Sequence, residues 1–168
     1  MVTIKRWFLH TFMPPWRWRL VFPAAVVKDI EMVVKQSEHQ HRGELCFAIE
    51  NALAPSWVWR GMSARQRATE VFSILRVWDT EENCGVLIYV LLADREVHIV
   101  ADRCIARRVS QAEWDAVAQA MQKAFRLGDF RQGSIEGIEH ITIMLATHFP
   151  PGADNPNELS TKPVIVKR

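Results

Sequence analysis

Two Asp-Arg pairs, Asp94-Arg95 and Asp102-Arg103, bracket one short stretch of the chain, and the loop before that stretch holds Asp79, Glu81 and Glu82. Carboxylates converging from turns supply the oxygen ligands that Ca²⁺ and Mg²⁺ need, and an arginine fork beside them can orient a phosphate. Asp79, Glu82 and Asp102 are therefore the candidate metal ligands, with Arg103 and Arg95 as candidate phosphate-binding residues. Together they would support metal-assisted hydrolysis of a phosphate ester. A plainer reading stands beside this one. Acids near turns are commonly solvated caps, and Asp in a hairpin turn bonds its own backbone. His39 and His41 have His-x-His spacing, but with no Cys or third His nearby they read as a solvated pair at a helix end. Cys46, Cys84 and Cys104 lack Cys-x-x-Cys spacing and a base within sequence reach, so they read as buried free thiols of a reducing compartment. No phosphate loop, nucleophile elbow or dinucleotide fingerprint is present.

The elements that must position these residues are set by periodicity. Pro23 opens a helical pattern to about residue 39, and the alternation of Leu45, Phe47 and Ile49 with Cys46 and Ala48 predicts a strand ending near Asn51. Residues 55–61 are expected to be a loop. Ser63 with Gln66 forms a capping box for a helix to about residue 78, and Ser110 with Glu113 forms another for a helix ending at Gly128. Between them, residues 85–92 and 96–101 predict a hairpin turning at 93–95. Its first strand is apolar on both faces, which places it between helices, and its second alternates, which places it near a sheet edge. Residues 129–133 read as a turn before a last helix that Pro150-Pro151 ends, and Val164-Ile165-Val166 could add an edge strand. The fold class is α/β: a three-layer α/β/α sandwich, its mixed sheet built on a central hairpin with helices on both faces. A crossover makes the first two strands parallel, and the hairpin returns the third antiparallel. Glu50, Asn51, Asp94 and Arg95 then share one sheet edge. His41, Glu44, Asp79, Glu81, Glu82, Asp102 and Arg103 share the other.

Three regions follow: an arm at 1–22, a domain at 23–150 and a polar tail at 151–168. With 168 residues, 49% of them hydrophobic, the chain can bury one core, and a net charge of +2 without an RNA-binding or zinc-finger pattern argues against nucleic acid. The arm contains Lys5, Arg6, Arg17 and Arg19, no acid, and six large aromatic residues. Pro23 interrupts its longest apolar run far short of the ~20 residues of a membrane span. Trp7, Trp16, Arg17, Trp18 and Arg19 suit a membrane interface or a partner protein. Alternatively, the aromatics pack on the domain. A cytoplasmic fold, peripheral to the inner membrane, is expected.

The runs Asn83-Cys-Gly-Val-Leu-Ile88, Ala93-Asp-Arg95, Ala124-Phe-Arg-Leu-Gly-Asp-Phe130 and Gly133-Ser-Ile-Glu-Gly-Ile138, with the second Asp-Arg pair, resemble the TPM domain family. Gly85, Asp94, Arg95, Arg126, Gly128 and Asp129 agree with its pattern. Asn83 stands where the family has Asp, Cys84 where it has Asn, and Phe130 where it has Tyr. The resemblance implies an α/β/α sandwich whose acidic loops can bind calcium, with acid-phosphatase activity proposed for some plant members. The short chain and the Asn157-Glu158-Leu159 tail resemble the short bacterial branch, whose members often accompany larger membrane-anchored TPM proteins. The favoured expectation is a non-catalytic interaction module that meets a membrane-anchored TPM protein or an anionic membrane surface. The alternative is a Ca²⁺- or Mg²⁺-dependent, acid-phosphatase-like hydrolase.

Overall fold

Apolar residues on both faces of two central strands demand cover on both sides, and helices supply it. The computed structural model describes residues 4–152 and 158–167. Along the chain run α1 (Ile4–Phe12), α2 (Arg17–Val21), α3 (Ala24–Ser37), β1 (Glu44–Glu50), α4 (Pro55–Trp59), α5 (Ala64–Ile74), β2 (Gly85–Leu91), β3 (Glu96–Ala101), α6 (Arg103–Ala106), α7 (Gln111–Arg126), α8 (Phe130–His148) and β4 (Val164–Val166). The sheet order is β3-β2-β1-β4. β1 is parallel to β2 and to β4, and β2 is antiparallel to β3, with Ile88 opposite Ile99.

Alternate residues serve opposite layers. Leu45, Phe47 and Ile49 of β1 and Val86, Ile88 and Val90 of β2 pack with Ile30, Trp114, Phe125, Ile138 and Leu145 from α3, α7 and α8. Cys46, Ala48, Leu87, Tyr89 and Leu91 face the other way, onto Val58, Ala68 and Val71 of α4 and α5. This is the expected three-layer sandwich. Both predicted capping boxes form, Ser63 with Gln66 and Ser110 with Glu113.

Several boundaries differ from the sequence expectation for local reasons. Residues 55–59 form a helical turn rather than a loop, because Pro55 stands at its first position, where the missing N–H is harmless. α5 stops at Ile74, short of residue 78, as Arg76 turns into the left-handed region at φ 55°. α8 begins at Phe130 rather than after Gly133. Gly133 is there for contact, since a Cβ on it would lie 2.7 Å from Ala124 Cβ in α7. α6 is a short helix that the sequence did not announce, with Asp102 as its N-cap.

Candidate functional site

The parallel strands β1 and β2 end together, and the crevice beyond such ends is where α/β sheets commonly place ligands. Here the arm fills that position. Arg6 and His10 are one helical turn apart on α1 and face Asp94 together. The Arg6 guanidinium grips the Asp94 carboxylate through Nε to Oδ1 at 3.0 Å and Nη2 to Oδ2 at 2.7 Å, while Nη1 donates to the Met62 carbonyl at 2.8 Å. The Leu53 N–H donates to His10 Nδ1 at 2.9 Å. The ring proton therefore sits on Nε2, which donates to Asp94 Oδ1 at 2.9 Å. Burial alone would raise the Asp94 carboxyl, but the hydrogen bonds from His10 and Arg6 overcome it and hold the group at about 2. Asn51 adds a further tie, donating to the Pro14 carbonyl at 2.8 Å. Asp94 is thus an anchor for the arm, not a turn residue bonded to its own backbone. Arg95 is exposed beside it at φ 55°.

Glu50, from the same edge, points into the α4/α5 layer. Its carboxylate accepts from Arg67 Nε at 2.9 Å, Arg67 Nη2 at 3.1 Å and the Tyr89 hydroxyl at 2.7 Å, and the Arg67 guanidinium lies over the Trp57 ring. Burial, then the Glu50 charge, pushes the Tyr89 phenol up. Arg6, His10, Arg67 and Tyr89 were not among the residues the sequence singled out. A signal for Arg67 exists, because it falls on the buried stripe Ala64, Ala68 and Val71.

At the opposite edge, the three candidate metal ligands have separate local employment. Asp79 pairs with Arg76, Glu82 with Arg42 at 3.2 Å, and Asp102 Oδ1 accepts from the Arg103 N–H at 2.6 Å to cap α6. Asp102 Oδ2 is buried with no hydrogen-bond partner among the described residues, and the Arg103 side chain is exposed. Among the described residues no group of three His, Cys, Asp or Glu side chains is placed to hold an ion. As arranged, Asp79, Glu82 and Asp102 do not fit a shared divalent cation. Glu44 instead receives the tail, its carboxylate accepting from the Glu158 and Leu159 N–H groups at 3.3 and 3.2 Å.

This edge does hold buried titratable groups. Burial, reinforced by Glu44, pushes the Glu38 carboxyl up to about 7, and burial pushes the His41 imidazole down to about 4. Glu38 has its raised value in the fold. Its contribution is complete below 4.5 and is lost as pH rises through about 7. His41 has the opposite sign: its contribution is complete above 6.5 and is lost as pH falls toward 4. The variant Glu38→Gln should therefore be more stable than the parent at about pH 8, by roughly 1–2 kcal/mol, with the gap closing at acid pH. Urea melts at several pH values would show it, and equal stabilities at the alkaline end would refute it.

The face of α1 opposite the Arg6–His10 latch is apolar and open to solvent. Ile4, Phe8 and Phe12 recur at four-residue spacing with exposures of 69%, 49% and 71%, and Phe8 stacks on Phe12. Trp16 and Leu20 are also exposed, as are Arg17 and Arg19. Trp7 and Trp18 turn inward and pack on the two core layers. The arm therefore does both things the sequence allowed: it covers core surface and presents aromatics outward.

The family profile of the TPM domain matches residues 20–143, most of the chain. The chain belongs to the TPM domain family. A solved relative by structure is the BA42 protein of the psychrophilic bacterium Bizionia argentinensis, determined by NMR. It is 31% identical with a TM-score of 0.75, over 85% of this chain and 94% of that one. No curated protein matches significantly. In this TPM domain the Arg126–Asp129 motif ends a helix. Gly128 adopts φ 91°, its N–H bonds to the Phe125 carbonyl, and the Asp129 N–H bonds to the Ala124 carbonyl, a Schellman closure that turns α7 into α8. Arg126 itself is exposed. The latch residues Arg6 and His10 lie outside the matched span, and they tie the arm to Asp94 within it.

Proposed function

We propose that this TPM-domain protein is a non-catalytic module that docks on an anionic membrane surface through its N-terminal arm. The observation that carries this reading is the exposed apolar face of α1. Arg6 and His10 fix the helix to the domain, while Ile4, Phe8 and Phe12 face water with Lys5 exposed among them. A latched helix with an exposed apolar face gains by burying that face elsewhere. Lys5, Arg17 and Arg19 are exposed, and no acid occurs in the first 28 residues, which selects a negatively charged surface. Among the described residues no helix is long and apolar enough to cross a membrane, so attachment would be peripheral. The free thiols of Cys46, Cys84 and Cys104 favour the cytoplasmic face. The second reading, a Ca²⁺- or Mg²⁺-dependent hydrolase, rests on Asp102 Oδ2 alone.

Flotation with protein-free vesicles tests the proposal. The parent should float with phosphatidylglycerol-rich vesicles and not with phosphatidylcholine vesicles. The variant Phe8→Ser/Phe12→Ser removes two exposed rings without touching the latch, and it should lose at least about ten-fold in partitioning. Equal partitioning of variant and parent would sink the reading. Absence of the parent from anionic vesicles would sink it too, and would move the docking partner from lipid to protein.

A further inference from the structure

Arm, domain and tail meet at a second place, beside the outer edge of β4. There α2, the first turns of α3 and the residues leading into β4 enclose an open cavity of about 630 Å³. Its walls are Trp18, Phe22, Val27, Pro163 and Ile165, an apolar lining of a size that accepts a single small ligand. A neighbouring cavity of about 580 Å³ shares Trp18, Arg19 and Ile165 as its border.

The charges on the walls are unbalanced. Arg19, Lys28 and Lys162 contribute three exposed cations against one acid, Glu31, and none of the three makes an ion pair among the described residues. The Arg19 guanidinium lies 5.4 Å from the Trp18 ring centroid, which keeps it near the cavity while its N–H groups remain available to an anion. An apolar cleft with unpaired cations around it matches a molecule with one hydrocarbon chain and a negative head. An added peptide strand is the poorer occupant. β4 is only Val164–Val166, and Pro163 removes a donor from the segment entering it. The location also connects to the membrane: α2 presents Leu20 to solvent while Trp18 of the same helix lines the cavity.

We propose that this groove takes one acyl chain of an anionic phospholipid from the membrane surface, with its phosphate held by Arg19, Lys28 and Lys162. This deepens the membrane-docking reading and rests on it. The probe is lysophosphatidylglycerol, one chain and one anionic phosphate, titrated as monomer into the full chain by calorimetry. Lysophosphatidylcholine is the control. The anionic probe should bind at least about ten-fold more tightly than the control, and Lys28→Glu should remove that preference. Ala24→Trp places a large ring at an exposed wall position, and it should abolish lysolipid binding while leaving vesicle flotation intact. Phe8→Ser/Phe12→Ser should do the reverse, losing flotation but keeping lysolipid binding. Failure of the groove and failure of the docking face are thereby separable. Equal affinity for the two lysolipids, or unchanged binding in Ala24→Trp, would overturn the proposal. So would a concentration-dependent dimer in sedimentation that lysophosphatidylglycerol fails to dissociate, which would give the groove to a second copy of the chain.

Discussion

Replacing Glu50 with alanine is expected to destabilise the fold by roughly 3–5 kcal/mol, enough to unfold an ordinary domain of this size or nearly so. Glu50 is fully buried and Arg67 is 4% exposed, so the substitution leaves a guanidinium inside the α4/α5 layer with its principal counter-charge gone. Glu70 still accepts from Arg67 Nη1 at 3.1 Å, but it is half-exposed and cannot compensate for two lost charge-assisted bonds. The Tyr89 hydroxyl loses its acceptor at the same time. The penalty belongs to the orphaned charge, not to the missing attraction. Two companions separate those causes in denaturant melts. Glu50→Gln keeps the volume and an acceptor, so it should lose less. Glu50→Leu with Arg67→Met removes both charges and should recover most of the stability. If the double variant is as unstable as Glu50→Ala, packing around the pair, and not the uncompensated guanidinium, sets the loss.

What the sequence disclosed was what neighbouring residues decide. Both capping boxes involve partners three residues apart, and the two-faced apolarity of β2 is a period-two pattern, so both could be read directly. Antiparallel pairing of β2 with β3 was enough to send Asp94 and Asp102 to opposite edges. Contacts across long separations were not readable in the same way. Arg6 and Asp94 are 88 residues apart, and only the folded arm shows that Asp94 serves as its anchor. Glu50 and Arg67 carried a fainter signal. Glu50 continues the inward set Cys46 and Ala48, and Arg67 interrupts an apolar helical stripe, so each is a charge at a position that should be buried. Two opposite charges at buried positions on a strand and the crossover that follows it suggest each other. The acidic loop before β2 illustrates both kinds of contact. Asp79 meets Arg76 three residues away, a pairing a sequence can show, whereas Glu82 meets Arg42 forty residues away, which only the fold reveals.

Gly85→Ala should be nearly as damaging as loss of Glu50, through sterics instead of charge. A Cβ on Gly85 would lie 1.9 Å from the Val77 carbonyl oxygen and 2.9 Å from its carbonyl carbon. No conformational freedom is at issue, since the demand is close approach of one main chain to another. The chain after α5 passes directly against the start of β2. To admit a methyl group, either that crossing or the strand must shift. A strand shift would disturb the Glu44–Gly85 pairing and the bond from the Asp102 N–H to the Gly85 carbonyl, 2.9 Å, which joins the hairpin's return to its start. Overpacking usually costs about 1–3 kcal/mol, and an unyielding backbone obstacle puts this case at or above the upper end. Glycine at this position thus has a packing reason. The Val77 side chain also approaches, with Cγ1 at 2.9 Å, so Val77→Ala in the Gly85→Ala background distinguishes the two obstacles. Removing the side chain leaves the carbonyl where it is, and the double variant should stay unstable. Recovery of the parental urea midpoint in the double variant would show that the side chain, not the main-chain oxygen, enforces glycine at this crossing.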